Sequence, residues 1–420
     1  MFQRTTLENG LRVITSPMPE TRSVTVTFYI GAGNRYEGPP IAGVSHFVEH
    51  MLFKGSRKRP TARDISEAVD NVGGVLNAAT DRELTVYYIK AAHSHLDLAF
   101  DVLLDMLHRP LFDPSEVEKE RKVIIEELAM VADNPSQLAE VRLDALLWPE
   151  GPLGWDVAGT EESVSAIPRD ETLAYVARQY VPNNTVLSVA GNVNHEQVVE
   201  MCRSQLIDWH SGSPQSWSPA GDGWRGPGIT LLNKRTEQTQ VMLAVRGVSS
   251  RHPDRHAVDL LSAILGEGMS SRLFMELRER RSLCYDVHTY ATHYLDAGAF
   301  SVYAGVDPSN TAAALVAILQ ELAEIRGDVP EAELQKAKEI TKGHILLRME
   351  DTRSVAGWAG GQELLHNEVK TVDQVVSEVE AVTTHDVRRV ARDLLQTDRL
   401  ALSIVGPHRS DKRFAPLLKI

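Results

Sequence analysis

The sequence predicts an α+β protein of two homologous domains, each a largely antiparallel sheet with helices packed on one face. Three observations predict it. The chain repeats itself: "SVTVTFYIGAGNR" (23–35) recurs as "QTQVMLAVRGVSSR" (238–251), and each is followed by a helical stretch ending in glycine, "AGVSHFVEHMLFKG" and "RHAVDLLSAILGEG". The strands alternate apolar with polar residues, which gives each sheet one packed and one wetter face. They also cluster rather than alternating strictly with helices, so a doubly wound parallel sheet is disfavoured.

The elements repeat in order. "ELTVYYIKAAHSHLDLAFDVLLDML" matches "AGAFSVYAGVDPSNTAAALVAILQEL", a strand, a turn and a long helix. "DPSEVEKERKVIIEEL" matches "VPEAELQKAKEITKGHIL". Each half closes with a helix, a turn and a strand, "LAYVARQYVPNNTVLSVAGNV" and "VRRVARDLLQTDRLALSIVGPH". Between the halves "HSGSPQSWSPAGDGWRGPG" is rich in Ser, Gly and Pro and reads as a linker. The expected division is a first domain over 1–211, a linker over 212–228 and a second domain over 229–420.

With 420 residues the chain exceeds one small core. Lys+Arg 44 against Asp+Glu 57 gives a net charge of −13, which argues against a nucleic-acid binder. Cys202 and Cys284 are the only cysteines, too few for a disulfide framework or a tetrathiolate zinc site. Any metal must therefore rely on His and carboxylates, and a reducing, cytoplasmic setting is expected. The opening "MFQRTTLENGLRVITSPMPE" lacks a basic segment followed by an apolar core, so no secretory signal is expected. No apolar run reaches the roughly 18 residues of a membrane span, so no membrane partner is expected either.

The chemistry concentrates in "PPIAGVSHFVEHMLFKGS", a helical stretch with Pro40 near its start and Gly55 at the expected stop. On a helix, His46 and His50 lie one turn apart on one face, where two imidazoles can bind one Zn²⁺. Glu49 is close to the same face and can relay a proton from an attacking water to a leaving amine. The pair His252 and His256 in "RHPDRH" has the same spacing but straddles Pro253 and lacks the glutamate, so it reads as structural. A catalytic zinc normally takes a third protein ligand. The helix "DPSEVEKERKVIIEELAMV" offers several: Glu120, Ile124 and Glu127 share one face, and Glu126 points about a quarter turn away. Glu120 and Glu127 stand two turns apart, about 10 Å along the axis, so one ion would not readily take both. The pattern does not choose among them.

These stretches resemble the inverzincin metallopeptidases, the family of pitrilysin, insulysin and the mitochondrial processing peptidase. The likeness runs over nearly the whole chain, and it is close to bacterial homologues of the catalytic processing subunit. It is carried by "LENGLRV", "HFVEHMLFKGS", "GGVLNAATDRELTVYY", "ERKVIIEE" and "GEGMSSRLFMELRERRSLCYDV". The resemblance implies one Zn²⁺ per chain held by His46, His50 and Glu127, with Glu49 as the catalytic base. It gives Glu120 a supporting role behind a ligand. It implies that Asn77 and Ala78 contact substrate along an exposed strand edge, where pattern alone suggests an internal strand. It implies that Arg278 and Tyr285 hold the substrate main chain and the carbonyl oxygen at the cleavage point. From spacing alone, Arg278 reads as a surface residue and Tyr285 as a core strand residue.

Alignment of the repeats at Gly55 and Gly268 puts Asp259, Ser262 and Ala263 opposite His46, Glu49 and His50, so the second copy has no zinc motif. The sequence departs from the family where Trp155 follows "GPLG" in place of the commoner Arg. The function expected is a zinc endopeptidase acting on peptides or unfolded segments in extended form. The rival readings are a catalytically silent assembly subunit and a processing subunit active only with a partner. Family members enclose a chamber between two halves of two domains each. The resemblance therefore implies a homodimer, or a heterodimer, in which Arg278 and Tyr285 approach the partner's zinc.

Overall fold

The computed structural model describes residues 2–420 and resolves two compact units. The first comprises the described part of 1–128 with 156–218 and 346–371; the second comprises 129–155, 219–345 and 372–420.

The first unit holds a six-stranded sheet. Its strands are β1 (Gln3–Thr6), β2 (Arg12–Pro17), β3 (Ser23–Ile30), β4 (Val75–Thr80), β5 (Thr85–Ala92) and β6 (Thr185–Gly191). They lie in the order β1-β2-β6-β3-β5-β4. The β2–β6 pair is parallel, and the other pairs are antiparallel. The second unit has five strands: β7 (Gly228–Asn233), β8 (Thr239–Arg246), β9 (Cys284–His293), β10 (Gly298–Val306) and β11 (Ala401–Gly406). Their order is β7-β11-β8-β10-β9, with β7–β11 parallel. With β1 set aside, the two orders correspond strand for strand, as expected of a duplicated α+β scaffold.

The alternation along β3 sorts its residues onto two faces. Val24, Val26, Phe28 and Ile30 join a core with Phe47, Val48 and Met51 from the helix Val44–Leu52, and with Phe100 and Leu103 from the helix Leu96–His108. Thr25 and Tyr29 point the other way. The expected wetter face is not left bare there, because the helix Thr352–His366 crosses it. Thr25 and Thr352 hydroxyls meet at 2.8 Å, Ser188 Oγ donates to Ala356 O at 2.8 Å, and Glu363 pairs with Arg4 at 2.7 Å. The second unit does the reciprocal thing. Ala139, Leu143 and Leu147 of the helix Pro135–Leu147 pack on Met242, Ala244, Ala401 and Val405.

Each sheet thus takes one helix from the opposite half of the chain, and the compact units follow this exchange rather than a single cut. The 210–228 segment is divided likewise. Ser218 is clasped by the buried Arg35, whose Nε and Nη2 donate to its carbonyl at 3.0 and 2.7 Å, while Ala220 N–H donates to Asp296 at 2.8 Å.

Gly360 marks where the crossing helix meets the first sheet. A Cβ there would lie 2.5 Å from the Tyr29 ring and 2.8 Å from Ser188 Cβ, whereas one at the next residue, Gly361, would meet nothing within 4 Å. Either Gly→Ala change gains about 1 kcal/mol of helix propensity. Overpacking at 360 costs about 1–3 kcal/mol. We therefore expect Gly360→Ala to unfold at lower urea than wild type and Gly361→Ala at equal or higher urea. Equal midpoints for the two variants would refute this packing account.

Candidate metal centre and active site

The helix Val44–Leu52 buries Val44, Phe47, Val48, Met51 and Leu52. That spacing makes one apolar stripe and turns His46, Glu49 and His50 to the other side. The helix starts at Gly43, whose φ of 93° suits glycine and whose Cβ would fall 2.5 Å from Ala158 O. Gly43 has no side chain to cap the helix. The buried Glu37 does so instead, accepting the N–H groups of Gly43 and Ser45 at 2.7 and 2.8 Å. Burial pushes the Glu37 carboxyl up to about 7, with the Ser45 and Gly43 donors pulling the other way.

His46 and His50 have ring centroids 4.6 Å apart. Glu127 reaches them from the helix Pro114–Asp133, with Oε2 3.4 Å from His50 Nε2 and 3.8 Å from His46 Nε2. One ligand atom from each of the three residues lies within 4.8 Å of the others. Donors placed tetrahedrally around zinc at 2.0–2.1 Å stand about 3.3 Å apart, so this set fits with small adjustment. Two further observations suit a metal. Among the described residues the His46 side chain makes no hydrogen bond, and its Nδ1 is buried. Burial, with the neighbouring His50, also holds the His46 imidazole down at about 4, which keeps it in the neutral form a metal needs.

Glu120, two turns before Glu127, is buried and meets His50 from behind, with Oε2 3.1 Å from Nδ1. Lys54 pairs with its other oxygen at 2.6 Å. A carboxylate at Nδ1 fixes the proton there and leaves Nε2 with its lone pair toward Glu127. Glu126 is exposed and stands apart from this set.

Glu49 is half-buried beside the two histidines. Burial raises its carboxyl above the ordinary range, and a hydrogen bond from the Thr80 hydroxyl to Oε2 partly opposes this. Thr80 ends β4, which among the described residues pairs only with β5 and is therefore an edge, not an internal strand. Asn77 is exposed on that edge, and its Oδ1 accepts the Ala78 N–H at 2.8 Å.

In the second unit Arg278 and Tyr285 are brought together. The Arg278 guanidinium lies 4.5 Å from the Tyr285 ring centre and 4.8 Å from that of Phe274, and Nη1 donates to Tyr285 O at 3.0 Å. Tyr285 is 72% exposed, against the core position its spacing suggested. It is the second residue of β9, an edge strand, and sits at a bulge where Cys284 and Asp286 pair with Val306 and Gly305 while Tyr285 itself has no ladder partner. Sequence reasoning missed Glu37 and Thr80. The signal for Glu37 was a helix beginning without Ser, Thr, Asp or Asn at its cap, which leaves its N–H groups to be met from elsewhere.

Residues 12–161 match the family described as insulinase, peptidase family M16, and residues 166–341 match the peptidase M16 inactive domain. The chain is similar to an uncharacterized zinc protease of Mycobacterium leprae, at 39% identity over 99% of this chain and 94% of that protein. It is also similar to the uncharacterized zinc protease YmxG of Bacillus subtilis, at 34% identity over 97% of this chain and 98% of that one. This chain belongs to peptidase family M16. The M16 fold is matched by the crystal structure of a protease from Helicobacter pylori, with a TM-score of 0.90 and 24% identity, covering 97% of this chain and 100% of that one. Among the described residues, no helix of the M16 chain is long and apolar enough to cross a membrane.

The second M16 repeat has the corresponding helix, Arg255–Gly266, with different polar groups on it. Asp259, opposite His46, takes His293 Nε2 at 3.0 Å and lies 3.5 Å from His256 Nδ1. Burial would raise the Asp259 carboxyl, but the two histidines hold it at about 2. Ser262 Oγ donates to Thr289 Oγ1 at 3.0 Å.

If Glu120 sets the His50 ring, Glu120→Gln should weaken zinc binding about 10–100-fold. Titration against a competing chromogenic chelator measures this, and an unchanged affinity would remove Glu120 from the site.

Proposed function

We propose that this M16 chain is a zinc-dependent endopeptidase that hydrolyses peptides or unfolded segments bound in extended form. The observation that carries the reading is the convergence of donor atoms from His46, His50 and Glu127 beside the half-buried carboxylate of Glu49. Uncharacterized zinc proteases at 34% and 39% identity over almost the whole chain support it. When bound, zinc supplies Lewis acidity at this point. Glu49 takes a proton from the attacking water and passes it to the leaving nitrogen. Burial raises the Glu49 carboxyl, so it holds a proton more readily than a solvated carboxylate.

The β4 edge supports an extended substrate. Its unpaired main-chain groups can add a substrate strand, with Asn77 and Ala78 on the contacted stretch. Arg278 and Tyr285 suit the holding of a substrate carbonyl oxygen, since both are donors and the tyrosine is open to solvent. In the proposed homodimer each chain supplies this pair to the site of its partner. Cys202 and Cys284, both free thiols, support a reducing, cytoplasmic setting.

Cleavage of a fluorogenic peptide by wild type and Glu49→Gln, with zinc content measured in both, tests the chemistry. The variant should lose about 10²–10⁴-fold in rate and keep its zinc. Equal rates would overturn the mechanism. A wild type that binds zinc but cleaves only after another chain is added would replace it with a partner-dependent subunit. The dimer is tested separately by mixing Glu49→Gln with Tyr285→Phe. Supply in trans leaves one intact site in each mixed dimer, so an exchanged mixture should recover about a quarter of wild-type activity. A mixture no more active than its components would exclude exchange of Arg278 and Tyr285 between chains.

A further inference from the structure

We propose that Thr80 is the positioning residue of Glu49, and that it ties the base to the strand edge on which substrate is laid. The inference rests on the endopeptidase reading above and adds a residue to it.

Among the described residues, the Thr80 hydroxyl is the only side-chain hydrogen-bond donor to Glu49, and it donates to Oε2. A hydroxyl has one proton to give. The other hydroxyl nearby, Thr85 Oγ1, stands 3.5 Å away and donates to Ala32 O at 3.1 Å. The Thr80 proton is therefore committed to Glu49. It fixes one carboxylate oxygen and leaves Oε1 as the oxygen with no side-chain donor. A glutamate side chain otherwise turns freely about its last torsion, and a base has to be within hydrogen-bond reach of the proton it takes.

The placement of Thr80 is itself stiff. It is the last paired residue of β4, opposite Thr85, and the turn beyond it is closed by Asp81 N–H to Leu84 O at 2.9 Å. Thr85 is fully buried. Asn77 and Ala78 lie two and three residues earlier on the same short strand. An added substrate strand would pair with β4 along its free side. One rigid strand would then set both where the peptide lies and where the base points, and the distance between them would not depend on a loop. The cost of losing such alignment is felt in turnover rather than in binding.

The test compares Thr80→Val, which removes the hydroxyl and keeps the shape and strand preference, with Thr80→Ser, which keeps the hydroxyl. Zinc affinity by chelator competition is measured alongside kcat and KM. The expected result is a kcat about 10–100-fold lower for Thr80→Val, with KM and zinc affinity within about twofold of wild type. Thr80→Ser should stay within about threefold of wild type in kcat. If Thr80→Val does not fold, Thr80→Ala carries the same expectation. Wild-type kcat in Thr80→Val, beside an inactive Glu49→Gln, overturns the role of Thr80 alone. So does a Thr80→Ser as slow as Thr80→Val. A fall in zinc affinity that matches the fall in kcat would make Thr80 part of the ion site and overturns the positioning role. An inactive wild type, or an active Glu49→Gln, overturns the endopeptidase reading and this inference with it.

Discussion

The start of the helix Val44–Leu52 is held by a carboxylate that does not belong to it, and the candidate site depends on that hold. Two imidazoles and a carboxylate project from a helix only nine residues long. So short a helix is marginal by itself and takes its stability from packing. Its apolar stripe fixes its rotation on the sheet, but packing alone leaves the N–H groups of the first turn unmet. Glu37 meets one of them at Ser45, together with the N–H of Gly43 just before it. The Ser45 hydroxyl is held in turn by Tyr175, 2.7 Å away. These bonds fix the helix along its axis as the stripe fixes it in rotation, so His46 begins one residue after an anchored position.

A sheet that must carry such a site benefits from being covered on both faces. In the first unit one face packs the helices that bear His46, His50 and Glu127, and the other receives the helix Thr352–His366. The second unit receives Pro135–Leu147 in return. A helix crossing from the other half of the chain links the folding of one unit to the continuity of the whole sequence. It also explains why the compact units do not coincide with the two halves of the sequence: the residues that cover each sheet are encoded far from the strands they cover. Charge follows the same logic. Glu363 on the crossing helix meets Arg4 and Arg12 from the first two strands, so chain segments more than 350 residues apart are paired where burial makes pairing necessary.

Much of this was legible in the sequence, and the limits have physical causes. The duplication and the strand order survive as a pattern because alternation and glycine turns are local properties. The coverage of the second face is not local, and nothing in the helices Thr352–His366 and Pro135–Leu147 states which sheet they will meet. The face shared by Glu120 and Glu127 was visible, but its consequence was not. Two turns of helix separate them too far for one ion, yet they address the two nitrogens of a single ring, His50. Helical periodicity gives a side chain's direction and says nothing of what lies opposite. Tyr285 differs for a related reason: its alternation suits a buried strand, but a bulge leaves it out of the ladder on an edge strand, and it is exposed. Thr80 carried no signal, because a threonine ending a strand is ordinary until its neighbour proves to be Glu49.

The two copies of the helix show what separates a ligand set from a structural cluster of the same residue types. In the second copy the histidines are saturated. His293 gives one nitrogen to Asp259 and the other to Val248 O at 2.8 Å, and His256 lies between Asp259 and Glu378. Each lone pair or proton has a protein partner, and the cluster is complete as it stands. In the first copy Glu120 satisfies His50 on one side only, the His46 side chain has no hydrogen bond among the described residues, and the Nε2 atoms of His50 and His46 face the Glu127 carboxylate at 3.4 and 3.8 Å. With both rings protonated on Nδ1, three groups with electron pairs turned toward one point repel one another unless a positive charge lies between them. The fold supports that unfavourable arrangement with the apolar stripe, the Glu37 anchor and the Glu120 brace. Such support would have no purpose for histidines that could simply have been paired, as their counterparts in the second copy are. Convergence without mutual satisfaction is thus the feature that singles out His46, His50 and Glu127, and it is a property of how nitrogens are spent rather than of how many histidines are present.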